Sequence, residues 1–228
     1  MIPFPAMGFR TGGYPGWNPI DRTANVGLTS SSMVASCSAN ATFGEGVRST
    51  VLKSSGSLYF EVTLGSAGDQ IAVGVCTRST LIASGAGSGA GGIIGRNAGT
   101  TYHAMAGAFG MVTNGGVSTI YMNSTLGAAS GLGSLANGHV IAVAINFTSQ
   151  LGWIKNLSVG GTAGQWNLNL NGDPAGGTNG ISIAAILGAG LVPFGTVYFG
   201  TTGGIGTINP GTSSFTGTVP SGFTGAWK

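Results

Sequence analysis

Apolar residues recur at every second position in several short stretches of this chain, and Ser57–Thr77 carries the clearest of them. Leu58, Phe60, Val62 and Leu64 alternate with Tyr59, Glu61 and Thr63. Successive side chains of a strand point to opposite faces, so the first set lines one face and the second the other. After the polar stretch Gly65–Asp69, Ile71, Val73 and Val75 alternate with Ala72, Gly74 and Cys76. Two alternating runs about a turn cluster predict a β-hairpin. His139–Lys155 repeats the pattern: Ile141, Val143, Ile145 and Phe147 share a face, Thr148–Gln150 turns, and Leu151–Lys155 returns carrying Trp153.

Shorter strand candidates are Asn25–Leu28, Met33–Cys37, Gly46–Leu52 (an edge), Ile93–Arg96, Thr101–Met105, Val117–Met122, Trp166–Leu170 and Val192–Gly200. Ile181–Leu187 fits a strand or one helical turn, and Phe215–Trp227 is a closing segment. Asn114-Gly115 is a standard hairpin-turn pair. Ser84–Gly92, Ala106–Gly116, Thr125–Asn137 and Asn171–Gly180 read as exposed, mobile loops. No apolar period of 3.6 residues is long enough for a proper helix. Short strands separated by regular turn signals predict an all-β, antiparallel β-sandwich.

Composition adds two constraints. Glycine is 45 of 228 residues, against a usual ~7%, and charged residues are 6%, against a usual ~25%. A free monomer normally keeps a charged surface, so a chain this neutral is expected to hide surface against copies of itself or a larger assembly, as a homo-oligomer or a component. The alternative is that Ser, Thr and Asn alone keep a monomer soluble. The net charge is +3 and the basic residues are scattered, which excludes a patch that tracks a phosphate backbone. No apolar run approaches the ~18 residues of a membrane span, so neither nucleic-acid binding nor membrane insertion is expected. MIPFPAMGFR has neither a basic leader nor a continuous apolar core and does not read as a secretory signal. Met1–Ile20 differs from the remainder of the chain. Four prolines (Pro3, Pro5, Pro15, Pro19) sit among Phe4, Phe9, Tyr14 and Trp17, and proline at that density resists helix and central strands. The segment reads as an extended arm whose aromatics dock on a neighbouring protein or strap one end of the sandwich. That divides the chain into an arm, 1–20, and a sandwich domain, 21–228.

The usual reactive constellations are absent. Gly87–Gly92 formally satisfies a dinucleotide-binding glycine pattern, but it lacks the strand before and helix after that give the pattern meaning. His103, His139, Cys37 and Cys76 have no metal-ligand spacing. Both cysteines sit in apolar, strand-like surroundings and read as small buried thiols, with a single bridge left open. Glycoside cleavage needs two suitably separated carboxylates, and the candidates Asp21, Glu45, Glu61, Asp69 and Asp173 fall in turns or strands. Glu61 lies on the outward face, either functional or hydrogen-bonded to a neighbouring strand. No catalytic residue, metal or cofactor is assigned. Trp153 and Trp166, like Tyr102 and Tyr121, could stack on sugar rings; core packing suits Trp153 better. With His103 beside Tyr102 and Asn114 in a turn, the candidate ligand-binding residues are Tyr102, His103, Asn114 and Tyr121.

The order of segments resembles a known family. Ser54–Val62 (SSGSLYFEV), Ile71–Thr77 (IAVGVCT), Gly138–Asn156 (GHVIAVAINFTSQLGWIKN) and Leu191–Gly200 (LVPFGTVYFG) resemble, in the same order, four strands of SPRY domains. Ser57, Asn146 and Leu157 depart from that family's pattern. The ends, Trp17–Ser30 (WNPIDRTANVGLTS) and Pro220–Trp227 (PSGFTGAW), are similar to those of glycine-rich SPRY-type domains in tailed-bacteriophage structural proteins. The resemblance implies a concanavalin-like jelly-roll sandwich used for binding rather than catalysis, located in the virion. The arm, through Phe4, Phe9, Tyr14 and Trp17, would then dock on other virion proteins. Exposed loops would meet a host cell-surface glycan or protein, as in a tail-fibre or tail-tip module. A capsid-surface decoration or head fibre with a mainly assembling role is the alternative.

Overall fold

The computed structural model describes residues 15–38, 45–66, 71–80, 95–96, 102–103, 107–114, 117–123, 125–130, 135–197, 202–225 and 227. In chain order the strands are β1 (Trp17–Arg22), β2 (Val26–Thr29), β3 (Val34–Cys37), β4 (Glu45–Ser49), β5 (Ser57–Leu64), β6 (Ile71–Cys76), β7 (Gly95–Arg96) and β8 (Tyr102–His103). They continue with β9 (Ala108–Asn114), β10 (Val117–Met122), β11 (Thr125–Ser130), β12 (Val140–Asn146), β13 (Leu151–Asn156), β14 (Ile181–Ser182), β15 (Val192–Val197) and β16 (Gly203–Asn209). One seven-stranded sheet, A, runs β1-β4-β15-β6-β9-β10-β11; the other, B, also seven-stranded, runs β14-β13-β12-β5-β16-β3-β2. Their ladders are antiparallel, and the pair β7-β8 forms a small separate sheet.

The alternation of the sequence sorts side chains onto faces as expected. Leu58, Phe60, Val62 and Leu64 of β5 meet Ile71, Val73 and Val75 of β6 and Ile141, Val143 and Ile145 of β12 in the core between the sheets. The partners differ from expectation. β5 and β6 do not form a hairpin: β5 lies between β12 and β16 in sheet B, and β6 between β15 and β9 in sheet A. A period of two tells which face a residue takes, not which strand lies beside it. The second hairpin is present, with Val143 opposite Ile154 and Asn146 opposite Leu151. The Asn146 side chain caps its turn by accepting from the amides of Thr148 and Ser149 at 2.9 Å each.

Several stretches read as loops or edges take other places in the sheets. β4 is flanked by β1 and β15 and is not an edge. β9 occupies most of the expected loop 106–116, and β11 the start of 125–137. Trp166–Leu168 is a 3-10 turn rather than a strand, because Asn167 adopts a left-handed backbone (φ 51°). The stretch 181–189 is a two-residue strand followed by a 3-10 turn, Ala184–Ala189. The Asn171–Gly180 loop is tightly bonded. Asp173 and Thr178 exchange backbone hydrogen bonds, and the Asp173 carboxylate accepts from the amides of Ala175 and Gly176. Ser84–Gly92 lies outside the described residues.

The arm boundary also moves. Trp17 opens β1 and is fully buried, in the core between the sheets, with its indole N–H donating to the Gly206 carbonyl at 3.2 Å. The absence of a side chain at Gly195 makes room for it, since a Cβ there would lie 3.2 Å from the indole ring. Trp17 is therefore a core residue of the sandwich and not a docking residue; Phe4, Phe9 and Tyr14 lie outside the described residues. Cys37 and Cys76 are both buried and not joined by a disulfide, and burial pushes the Cys76 thiol up to about 12.

Trp17→Ala should destabilise the domain by about 3–5 kcal/mol in a denaturant titration. An unchanged midpoint would return Trp17 to the arm.

Candidate functional site

The outward faces of both sheets are largely buried, and this narrows where a ligand can sit. On sheet B, Tyr59, Ala142, Ala144 and Trp153 form a second small core under Phe223, with Phe215, Val219 and Trp166 packed against it. Tyr59 meets Phe215 edge-to-face at 4.8 Å, and Trp153 meets Phe223 at 6.1 Å. Glu61, on the same face and 2% exposed, accepts from the Tyr59 hydroxyl at 2.7 Å and from the backbone amides of Thr216 and Gly217 at 2.9 and 2.8 Å. Burial, reinforced by the hydrogen bond to Glu61, holds the Tyr59 hydroxyl protonated well beyond its ordinary range. Of the two sequence readings of Glu61, the hydrogen-bonded one describes this geometry, with the C-terminal segment as its partner.

On sheet A, Ala72, Cys76, Ala108, Val112, Tyr121, Val192 and Phe194 form the outward cluster. Tyr121, expected to offer a ring for ligand stacking, is 3% exposed and packs there. Trp153 is buried as expected, though under the outer cover rather than between the sheets. Trp166 is half-buried, with the Lys155 ammonium 5.1 Å from its ring centre. Tyr102 and His103 lie in β8, opposite Arg96 and Gly95, and Asn114 ends β9 opposite Val117. The structure describes only the backbone of these three. Asn114 and Tyr121 belong to neighbouring strands of sheet A, with Tyr121 opposite Gly110 at the other end of the ladder, whereas Tyr102 and His103 belong to the small β7-β8 sheet.

A cleft does form where neighbouring strands of sheet A end. β6 stops at Cys76, β9 begins at Ala108 and β10 ends at Met122. The residues just beyond, with the 3-10 turn Ala184–Ala189, enclose an open depression of about 450 Å³ lined by Thr77, Ser79, Thr80, Gly107, Asn123, Ala185, Ile186, Gly188 and Ala189. The ladder runs into it: the Thr77 amide donates to the Gly107 carbonyl at 2.9 Å and the Asn123 amide to the Ala108 carbonyl at 2.8 Å. Gly107 is left-handed (φ 82°), and a Cβ there would sit 2.7 Å from Thr80 Oγ1 and 2.9 Å from Thr77 Oγ1. Asn123, also left-handed (φ 45°), a conformation asparagine tolerates, accepts from the Gly107 amide through Oδ1 at 2.9 Å.

One buried cation shapes this rim. Arg48, 8% exposed, donates through Nε and Nη2 to both carboxylate oxygens of Asp21 (2.9 and 2.7 Å), while Nη1 donates to the carbonyls of Thr77, Arg78 and Thr80. The planar guanidinium suits a bidentate carboxylate, and Asp21 balances its charge. The arginine thus folds the 77–80 turn around itself, with Thr77 and Thr80 buried and Ser79 exposed. Sequence reading misses this turn because Thr77 falls at the end of an expected hairpin. Its signal is the hydroxyl-rich run Thr77-Arg78-Ser79-Thr80 directly after a strong strand.

The described carboxylates serve the fold. Asp21 holds Arg48, Glu61 holds the C-terminal segment, and Asp173 caps its own turn; Glu45 accepts from Asn25 through Oε1 at 2.8 Å, while its buried Oε2 has no hydrogen-bond partner among the described residues. Among the described residues no group of three His, Cys, Asp or Glu side chains could hold a metal ion.

No protein-family model matches the sequence, and no curated protein matches it. The fold has relatives among solved structures. The SPRY domain of human HERC1 matches with a TM-score of 0.58 at 9% identity, covering 85% of this chain and 96% of that one. The PSpry domain of TRIM65 matches with a TM-score of 0.53 at 10% identity, covering 84% and 88%. The architecture is therefore that of a SPRY-type β-sandwich, as the order of strand motifs implied.

Gly107→Ala should disorder the rim. The left-handed backbone and the clash with two hydroxyls should lower stability by about 1–3 kcal/mol and broaden the NMR amide resonances of Thr77, Thr80 and Asn123. Unchanged resonances would show that the turn does not depend on a bare backbone at this position.

Proposed function

We propose that this chain is a non-enzymatic binding module of a tailed-phage virion, in which a rigid SPRY-type sandwich presents the rim depression to the host cell surface. The observation that carries the binding part is the rim itself. It is a preformed cleft of neutral polar side chains, anchored by a buried arginine, on a scaffold whose described carboxylates are engaged in structural bonds. Sites of this kind bind through shape and a few placed hydrogen bonds. A nucleophile with a base, or two facing carboxylates, would be needed for catalysis of the usual hydrolytic kinds. The virion part rests on the sequence of the two ends, Trp17–Ser30 and Pro220–Trp227, and on the proline- and aromatic-rich segment preceding Trp17. Within this reading the docking arm is residues 1–14, with Trp17 fixing its root in the core.

A second role, capsid decoration or a head fibre, is favoured by the low charge and by the open edge of sheet A. There β1 carries Ile20 with its side chain 88% exposed. An edge strand with no second partner among the described residues, carrying an exposed apolar side chain, suits contact with a neighbouring subunit.

Two measurements separate these readings. Purified full-length protein, added to host cells before the particles that carry it, should reduce adsorption in a saturable way under the recognition reading. No reduction at saturating protein would leave the decorating role. Removing residues 1–14, which keeps Trp17, should leave the unfolding midpoint unchanged and abolish incorporation into particles. Normal incorporation would contradict the docking arm.

A further inference from the structure

The rim depression has a fixed hydrogen-bond polarity, and that polarity indicates a ligand class. The Gly107 carbonyl can only accept, and the Thr80 hydroxyl donates to it at 3.1 Å. With the Thr80 proton committed there, the 3.0 Å contact between Thr77 Oγ1 and Thr80 Oγ1 must be donated by Thr77. The 2.8 Å contact between Thr77 Oγ1 and Ser79 Oγ must then be donated by Ser79. Each hydroxyl has a single proton, so the direction of the whole relay is set by one backbone carbonyl. Its outer end is the Ser79 oxygen, which faces solvent with lone pairs and no proton to give. Across the depression the Asn123 Oδ1 is occupied by the Gly107 amide, which assigns the side-chain nitrogen as a donor with two protons. The cleft therefore offers one acceptor and one donor of settled identity. The rest of the lining is apolar: Ala185, Ile186, Gly188 and Ala189.

We infer that the depression binds a single neutral sugar residue, with ring hydroxyls donating to Ser79 Oγ and accepting from Asn123 Nδ2. This rests on the recognition reading above and names the ligand class for that site. A polyol can both give and take hydrogen bonds around one ring, which is what an acceptor facing a donor across the depression requires. The apolar lining suits the C–H face of a pyranose. No ionisable side chain is among the described lining residues: Arg48 is neutralised by Asp21, and the exposed Arg78 of the same turn donates through Nη2 to the Thr50 carbonyl at 2.8 Å rather than lining the depression. A carboxylated or phosphorylated sugar would thus lose hydration without a compensating charge. The cavity volume, about 450 Å³, falls within the ~300–1,000 Å³ of small-molecule sites. So open a site with two polar anchors should bind weakly, on the order of 1 mM, and gain strength through repeated copies.

Saturation-transfer NMR on the full chain tests this with D-glucose, D-galactose, D-mannose and N-acetyl-D-glucosamine against D-glucuronate and N-acetylneuraminate. At least one neutral sugar should receive saturation and the two anionic sugars at least about tenfold less. Two variants locate the site. A Cβ at Gly188 meets nothing within 4 Å, so Gly188→Phe can project a ring into the depression while the fold, followed by circular dichroism, is retained. Asn123→Asp keeps the acceptor for the Gly107 amide and removes the donor. Both should abolish transfer. Transfer to no neutral sugar, equal transfer to the anionic sugars, or transfer surviving Gly188→Phe would overturn the inference. If the protein competes for adsorption and yet no neutral sugar binds, recognition stands and the sugar assignment falls. If it neither competes nor binds sugar, both fall.

Discussion

The structure depends on a strand that is buried on both faces from Leu58 to Val62, with Thr63 its one exposed residue. β5 sends Leu58, Phe60, Val62 and Leu64 into the core between the sheets, and Tyr59 and Glu61 into a second layer on the outside. A sandwich sheet ordinarily leaves its outer face to water. Here the outer face is closed by the chain's own C-terminal segment, and the closure is electrostatic as well as apolar. The Glu61 carboxylate collects the Tyr59 hydroxyl and two consecutive backbone amides. Hydrogen bonds to an ionised acceptor are about twice as strong as neutral ones, and the amides of Thr216 and Gly217 gain partners outside any strand. β16 pairs with β5 as far as Asn209 opposite Glu61. The chain then crosses the outer face and returns to β5 at Thr224, whose amide donates to the Ser57 carbonyl and whose carbonyl accepts from the Tyr59 amide. Trp227 finally enters the central core, edge-to-face with Phe60 at 5.2 Å.

This double burial gives part of the unusual composition an internal cause. Outward positions that would carry Lys or Glu in an ordinary sandwich carry Ala72, Cys76, Ala108, Ala142 and Ala144 here, all buried. Some of the missing charge is thus a consequence of covering the outer faces within one chain. The rim, where strands end and hydroxyls and amides remain, is the part of the described surface that the fold leaves chemically distinctive.

The sequence made face assignment legible, because alternation is a local property of β5, β6, β12 and β13. Pairing was less legible, because it is decided by the whole core. β5 and β6 satisfy a hairpin pattern yet lie in different sheets. β9, β11 and β16 were hidden by composition. AFGMVTN, TLGAAS and GGIGTIN contain the small residues of a loop, and in β16 a register shift between Gly204 and Gly206 lets both Ile205 and Ile208 reach the core, although they are an odd three positions apart. Trp17 was hidden by its prolines, and its role became visible only with Gly195 opposite it. The binding rim was nearly invisible in the sequence. It joins Thr77–Thr80, Gly107, Asn123 and residues 185–189, and depends on an arginine in β4 reaching three carbonyls of a distant turn. No local pattern encodes such a constellation.

Native-state hydrogen exchange at the amides of Thr216 and Gly217 tests the central claim most directly. If Glu61 ties the C-terminal segment into the same cooperative unit as β5, both amides should exchange only through global unfolding, at the rate of Phe60 and Val62, although neither belongs to a strand. Exchange within seconds at Thr216 and Gly217, with β5 still protected, would show the segment to be a loose cover and contradict the account.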